Sequence, residues 1–129
     1  MKKWSGSAGI CVKEQKLLMV LQGKIDEPKR WSVPSGGLLA GESFEACCIR
    51  ELKEETGYEI KINRPLFKKE TEYLEVQYFE IAIIGGKAEI RDPDHLIYEI
   101  AWKSIEEISS LDLSFPEDEE FLIQYLQKS

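Results

Sequence analysis

The stretch from Arg50 to Tyr58, RELKEETGY, sets three glutamates within five positions and follows them at once with a glycine. Ser43 is suited to cap the start of a helix here, Glu45 falls in its first turn, and Gly57 is suited to end it. On that helix Glu51, Glu54 and Glu55 share roughly a third of the circumference, at about 100° per residue. Their Cα atoms lie within about 6 Å along the axis, at a rise of about 1.5 Å per residue. Like charges three and four positions apart repel, each pair costing about 0.2–0.5 kcal/mol when solvated. Arg50 and Lys53 point elsewhere on this wheel and relieve the repulsion only in part. A glutamate run is most often a solvated face. It is also a set of hard oxygen ligands suited to Mg²⁺ or Mn²⁺ rather than zinc, and a bound cation would offset the repulsion.

The rest of the composition narrows what such a helix can serve. At 129 residues, with 43% hydrophobic and 32% charged side chains, the chain reads as one globular domain over residues 1–129. A net charge of −7 argues against a nucleic-acid partner, which needs a basic footprint. It leaves a phosphate substrate open, because divalent cations reverse the local sign. The longest apolar run, Leu17 to Leu21, is too short to span a membrane, and the first residues lack the apolar stretch of a secretory signal. Three cysteines, with Cys47 and Cys48 adjacent, offer no disulfide framework, so a cytoplasmic location is expected. Buried packing is the expected role of that pair.

Hydrophobic alternation places the acidic helix in an α/β chain. SGSAGICVK and KLLMVLQ read as two strands joined in a hairpin at Glu14-Gln15. Residues 23–42 hold prolines and glycines and read as loop, with a short extended piece at Trp31–Val33. Residues 59–86 alternate as two or three strands, and HLIYEIAWK adds another. Ser104 and Glu107 have capping-box spacing, and Ser114 with Pro116 opens a last helix whose stripe is Phe121, Leu122, Tyr125 and Leu126.

Upstream spacing completes the pattern. From Gly36 there are five residues to Glu42, then seven to Arg50-Glu51-Leu52-Lys53-Glu54-Glu55-Thr56-Gly57-Tyr58. This resembles the Nudix box, G-x5-E-x7-R-E-U-x-E-E-x-G-U with U a bulky aliphatic residue. Tyr58 departs from the last aliphatic slot, but its ring can pack with the hydroxyl at a rim. The strand and helix order resembles that family over nearly the whole chain. The resemblance implies the Nudix fold, a mixed β-sheet sandwiched between α-helices. It implies a MutT-like hydrolase that uses Mg²⁺ or Mn²⁺ to cleave the diphosphate of a nucleoside triphosphate or other nucleoside diphosphate derivative, releasing a nucleoside monophosphate.

Residue by residue, the resemblance makes Glu51, Glu54, Glu55 and the Gly36 carbonyl metal ligands. Glu54, then Glu51, is the expected base, with Arg50 holding carboxylates in place and Glu42 either meeting a metal through water or pairing with Arg50. A further acid outside the box is expected at Glu99, ahead of Asp92 and Asp94, whose RDPDH setting is plain turn chemistry. The lone histidine, His95, reads as a loop residue. For the nucleotide, Trp31, Tyr73 and Arg30 are the expected contacts, with Tyr78, Phe79 and Tyr98 as other aromatic platforms and Lys24, Lys29 and Arg91 as loop cations. A homodimer is compatible with the resemblance. The competing reading is a nucleotide or sugar-nucleotide binding module of the same fold without turnover.

Overall fold

A computed structural model describes residues 3–129. Strand β1 (Trp4–Ile10) runs between β5 (Ser35–Gly37), antiparallel to it, and β7 (Leu74–Gly86), parallel to it; β6 (Tyr58–Glu70) lies antiparallel on the far side of β7. A second sheet holds β2 (Val12–Lys13), β3 (Lys16–Gln22) and β4 (Arg30–Ser32), with β8 (Ile97–Lys103) also paired to β3. The helices are α1 (Phe44–Thr56), α2 (Ile105–Ile108) and, after a 3₁₀ turn at Pro116–Asp118, α3 (Glu119–Gln127).

Alternation along the strands explains the layers, because neighbouring side chains leave a strand on opposite faces. Leu17 and Met19 of β3 join Tyr78 of β7, Ile108, Leu122 and Leu126 in one buried cluster, on the side of α2 and α3. Leu18 and Phe79, one residue along each strand, join Cys48 and Leu52 of α1 in a second cluster. A mixed sheet covered by helices on both faces is the α/β/α arrangement expected of these residues.

Helix α1 begins and ends where its residues dictate. The Ser43 side chain accepts from the Ala46 N–H, and Gly57 closes the helix at φ 79°, a left-handed conformation that suits glycine. Backbone N–H groups of Glu89 and Arg91 then donate to the carbonyls of Thr56 and Glu54, so the chain leaving β7 crosses the end of α1. That crossing carries residues 92–96 to the acidic face.

Three local expectations need correction. SGSAGICVK is two strands, since β1 and β2 pair in different sheets; the β2–β3 turn itself falls at Glu14 and Gln15, at φ 53° and 63°. Residues 23–42 contain β5 besides β4, and the segment from 59 to 86 is one long hairpin of two strands, bent by bulges at three places. Glycines hid β5, whose three residues have no apolar alternation, and bulges that shift the register broke the long strands into shorter sequence patterns.

Leu52 is fully buried, while Ile49 on the same helix is 42% exposed. Leu52→Ala is therefore expected to cost about 2–5 kcal/mol in chemical denaturation, whereas Ile49→Ala should stay within about 0.5 kcal/mol.

Candidate active site

The acidic face of α1 and the β5 loop form one wall each of a cleft of about 630 Å³. Arg50 organises it. Its Nε and Nη2 donate to the two oxygens of Glu42 at 2.8 and 2.9 Å, and Nη2 also donates to the Gly37 carbonyl at 2.9 Å. Nη1 donates to Oε1 of Glu51 and Oε1 of Glu54, both at 3.2 Å. Each of the five guanidinium N–H groups thus has an oxygen partner. This corrects the helical-wheel expectation for Arg50: its long side chain bends back into the acid cluster. Lys53 does point away, to Glu59. Of the two roles open to Glu42, the structure displays the pair with Arg50.

Burial charges this arrangement with repulsion. Glu55 is 6% exposed, with Oε1 accepting from the Ser35 N–H at 3.2 Å. Desolvation, then the charge of Glu51, pushes its carboxyl well above the ordinary range against that hydrogen bond, and Asp92 adds to the push. Desolvation likewise lifts Glu51 to about 7, with Arg50 opposing and Glu54 assisting. Glu42 lies at the other extreme. Its hydrogen bonds from Arg50 lower it from 4.5 to about 2.

Gly36 must be glycine for this packing. A Cβ there would stand 1.7 Å from Oε2 of Glu51, so the carboxylate lies directly against the backbone. Among the described residues, no three acidic, histidine or cysteine side chains converge tightly enough to enclose an ion as they stand. The donor set nonetheless fits Mg²⁺ or Mn²⁺. Oε2 of Glu51, Glu54 and Glu55 is not engaged by the guanidinium, all donors are hard oxygens, and two of the carboxyls are desolvated without a compensating cation of their own.

The other expected site residues are distributed unevenly. Asp92 and Asp94 line the cleft opposite α1. Asp92 spends its carboxylate on the N–H groups of Asp94, Leu96 and Ile97, which shapes the turn into β8. His95 is exposed in that turn. Glu99 is exposed on β8, opposite Leu21, and does not line the cleft. Arg30 is exposed and pairs with Asp112, while Tyr73 is 61% exposed in the β6–β7 turn. Trp31 is half-buried beneath Lys103, and its backbone ties β4 to Asp112 and Ser114. None of these three lines the cleft. Cys47 and Cys48 are fully buried and, with Cys11, unbridged.

Two aromatic residues absent from the sequence reading stand at the cleft instead. Trp4 and Phe115 line it, 52% and 39% exposed, and both also line an adjoining apolar pocket of about 280 Å³. An aromatic at the head of the first strand and another just before a helix-opening proline were the available signals. Neither announces a shared pocket, because the residues are 111 positions apart.

A loop that lays glycine backbone against a carboxylate helix, on a two-faced mixed sheet, defines a recognisable class of α/β protein. The NUDIX domain family model matches residues 4–125, and the chain belongs to that family. Among its relatives, MutT4 of Mycobacterium tuberculosis (strain CDC 1551 / Oshkosh) is 31% identical over 100 residues, 70% of this chain and 40% of that protein. The chain spans less than half the length of the curated relatives it matches. A NUDIX hydrolase from Nitrosomonas europaea superposes with a TM-score of 0.82 at 22% identity, over 98% of this chain and 87% of the other. An ADP-ribose pyrophosphatase from Streptococcus suis 89-1591 does so at 0.77 and 18%, over 99% and 94%. At those identities the likeness establishes the fold. No helix among the described residues is long and apolar enough to cross a membrane.

The low carboxyl of Glu42 gives a signed prediction. A group depressed from 4.5 to about 2 in the folded chain contributes stability above pH 4.5, and that contribution drains away as the pH falls toward 2. Melting temperatures followed across that window should drop in the native chain. Glu42→Gln should melt lower at neutral pH and show a shallower decline on acidification.

Proposed function

We propose that the chain is a metal-dependent hydrolase that cleaves the diphosphate linkage of a nucleoside diphosphate derivative, releasing a nucleoside monophosphate. For a nucleoside triphosphate the second product is inorganic pyrophosphate. One observation carries the reading: desolvated glutamates, aligned by a saturated Arg50 against Gly36, face a cleft that opens into an aromatic-rimmed apolar pocket.

Each part has a task in that reaction. Glu51, Glu54, Glu55 and the Gly36 carbonyl would hold Mg²⁺ or Mn²⁺, which when bound neutralises the diphosphate and lowers the pKa of water. Arg50 keeps Glu51 and Glu54 in register with one another. The attacking water's oxygen bonds to phosphorus as the bridging P–O bond breaks. Glu54 receives the proton, since its side chain is 28% exposed against 12% for Glu51 and is the more open to solvent. The apolar pocket takes the nucleobase, with Trp4 and Phe115 as its flat contacts in place of Trp31 and Tyr73. Asp94, beside the cleft, suits the further acid better than Glu99 by position.

Phosphate release from a panel of nucleotides, with Mg²⁺ and with Mn²⁺, tests the assignment. Glu54→Gln and Glu51→Gln should each lower kcat by about 10²-fold or more, with melting temperature held or raised because repulsion is relieved. Full turnover by Glu54→Gln removes that residue from its role. Absence of product from every substrate under both metals turns the reading to a nucleotide-binding module.

A further inference from the structure

The pocket beside the cleft is apolar except at one end, where Lys69 of β6 reaches in. Its Nζ stands 2.8 Å from Oδ1 of Asp118 and 3.1 Å from Oε2 of Glu117. The same ammonium lies 4.8 Å from the Phe115 ring centroid and 5.4 Å from that of Tyr78. An ammonium has three hydrogens, and two carboxylates use two of them. Asp118 is itself filled, because its other oxygen accepts from the Tyr78 hydroxyl at 2.6 Å. The buried carboxylate therefore has no vacant oxygen to receive an amino group. What the end of the pocket offers an occupant is one charged donor.

We infer that Lys69 is a specificity-determining residue that donates to a ring carbonyl of the bound base, selecting keto bases (guanine, hypoxanthine, uracil, thymine) over adenine and cytosine. The assignment rests on the nucleobase occupying this pocket, as in the function proposed above. A keto oxygen at purine position 6 or pyrimidine position 4 accepts the third Nζ–H. An exocyclic amino group at the same place presents a donor to a donor, and the ammonium in this apolar end then loses a partner. The surrounding rings favour a cation here, which holds Lys69 in place without help from the substrate.

Calorimetric binding of nucleoside monophosphates to the whole chain tests this without metal or turnover. The native protein should bind GMP and UMP about tenfold or more tightly than AMP and CMP, the size of one charge-assisted hydrogen bond. Lys69→Met keeps the length of the side chain and removes its donors, and should bring the GMP-to-AMP ratio close to one. A ratio that survives Lys69→Met overturns the inference, as does a native preference for AMP. Should that variant fail to fold, inosine monophosphate against AMP on the native chain compares a carbonyl with an amino group at position 6, and equal affinity refutes the role. The underlying reading fails separately: Phe115→Ala and Trp4→Ala must each weaken all four nucleotides together, and if neither does, the base lies elsewhere and the Lys69 assignment falls with it.

Discussion

The fork of Arg50 is the interaction on which the site depends. Five N–H groups meet five oxygens drawn from the helix, the loop before it and the β5 backbone. A lysine at this place could not reproduce the geometry, since a point charge with three rotating donors does not span two carboxylates and a carbonyl in one plane. The guanidinium also limits the damage done by crowding. Glu51 and Glu54 are each held by one oxygen, so their mutual repulsion is screened while their second oxygens stay available. Glu55 lacks that contact and leans on the Ser35 N–H instead, which explains why burial dominates its protonation.

Around the fork, the fold works mainly as a set of spacers. The parallel pairing of β1 with β7 sets Trp4 beside Leu74, and the antiparallel pairing of β1 with β5 sets Gly6 beside Gly37. Those glycines leave room for the Trp4 ring, which a Cβ at Gly6 would strike at 2.5 Å. From the other end of the chain, the 3₁₀ turn at Pro116–Asp118 delivers Phe115, and Tyr78 and Lys69 anchor that turn through Asp118. The glutamates and the aromatic pocket are thus held by separate clusters of core residues, one on each face of the sheet.

This division explains what could be read from the amino acids. The acidic helix, its caps and its glycine were legible because one continuous stretch fixes them: period, rise and chain spacing determine which side chains meet. The two-faced sheet was legible for the same reason, through alternation at Leu17–Leu18–Met19 and Tyr78–Phe79. Arg50 was placed on the wrong side by a wheel that treats side chains as short spokes, whereas six heavy atoms beyond Cβ let it turn back on its own helix. Trp4 and Phe115 were missed because only strand pairing brings the chain's two ends together. Trp31 and Tyr73 suited the pocket by residue type alone, and tertiary contacts commit one to a strap and leave the other at a hairpin tip.

The backbone bonds from Glu89 and Arg91 to the last turn of α1 have a mechanical consequence. They make the segment after β7 a lever on the glutamate-bearing turn. A residue inserted between 87 and 91 would be transmitted as a rotation of Glu54 and Glu55. The same insertion among the exposed residues 24–28, which only Lys29 gathers by its bonds to nearby carbonyls, would dissipate in solvent. Length variation should therefore be tolerated in the one loop and forbidden in the other, although both border the same cleft.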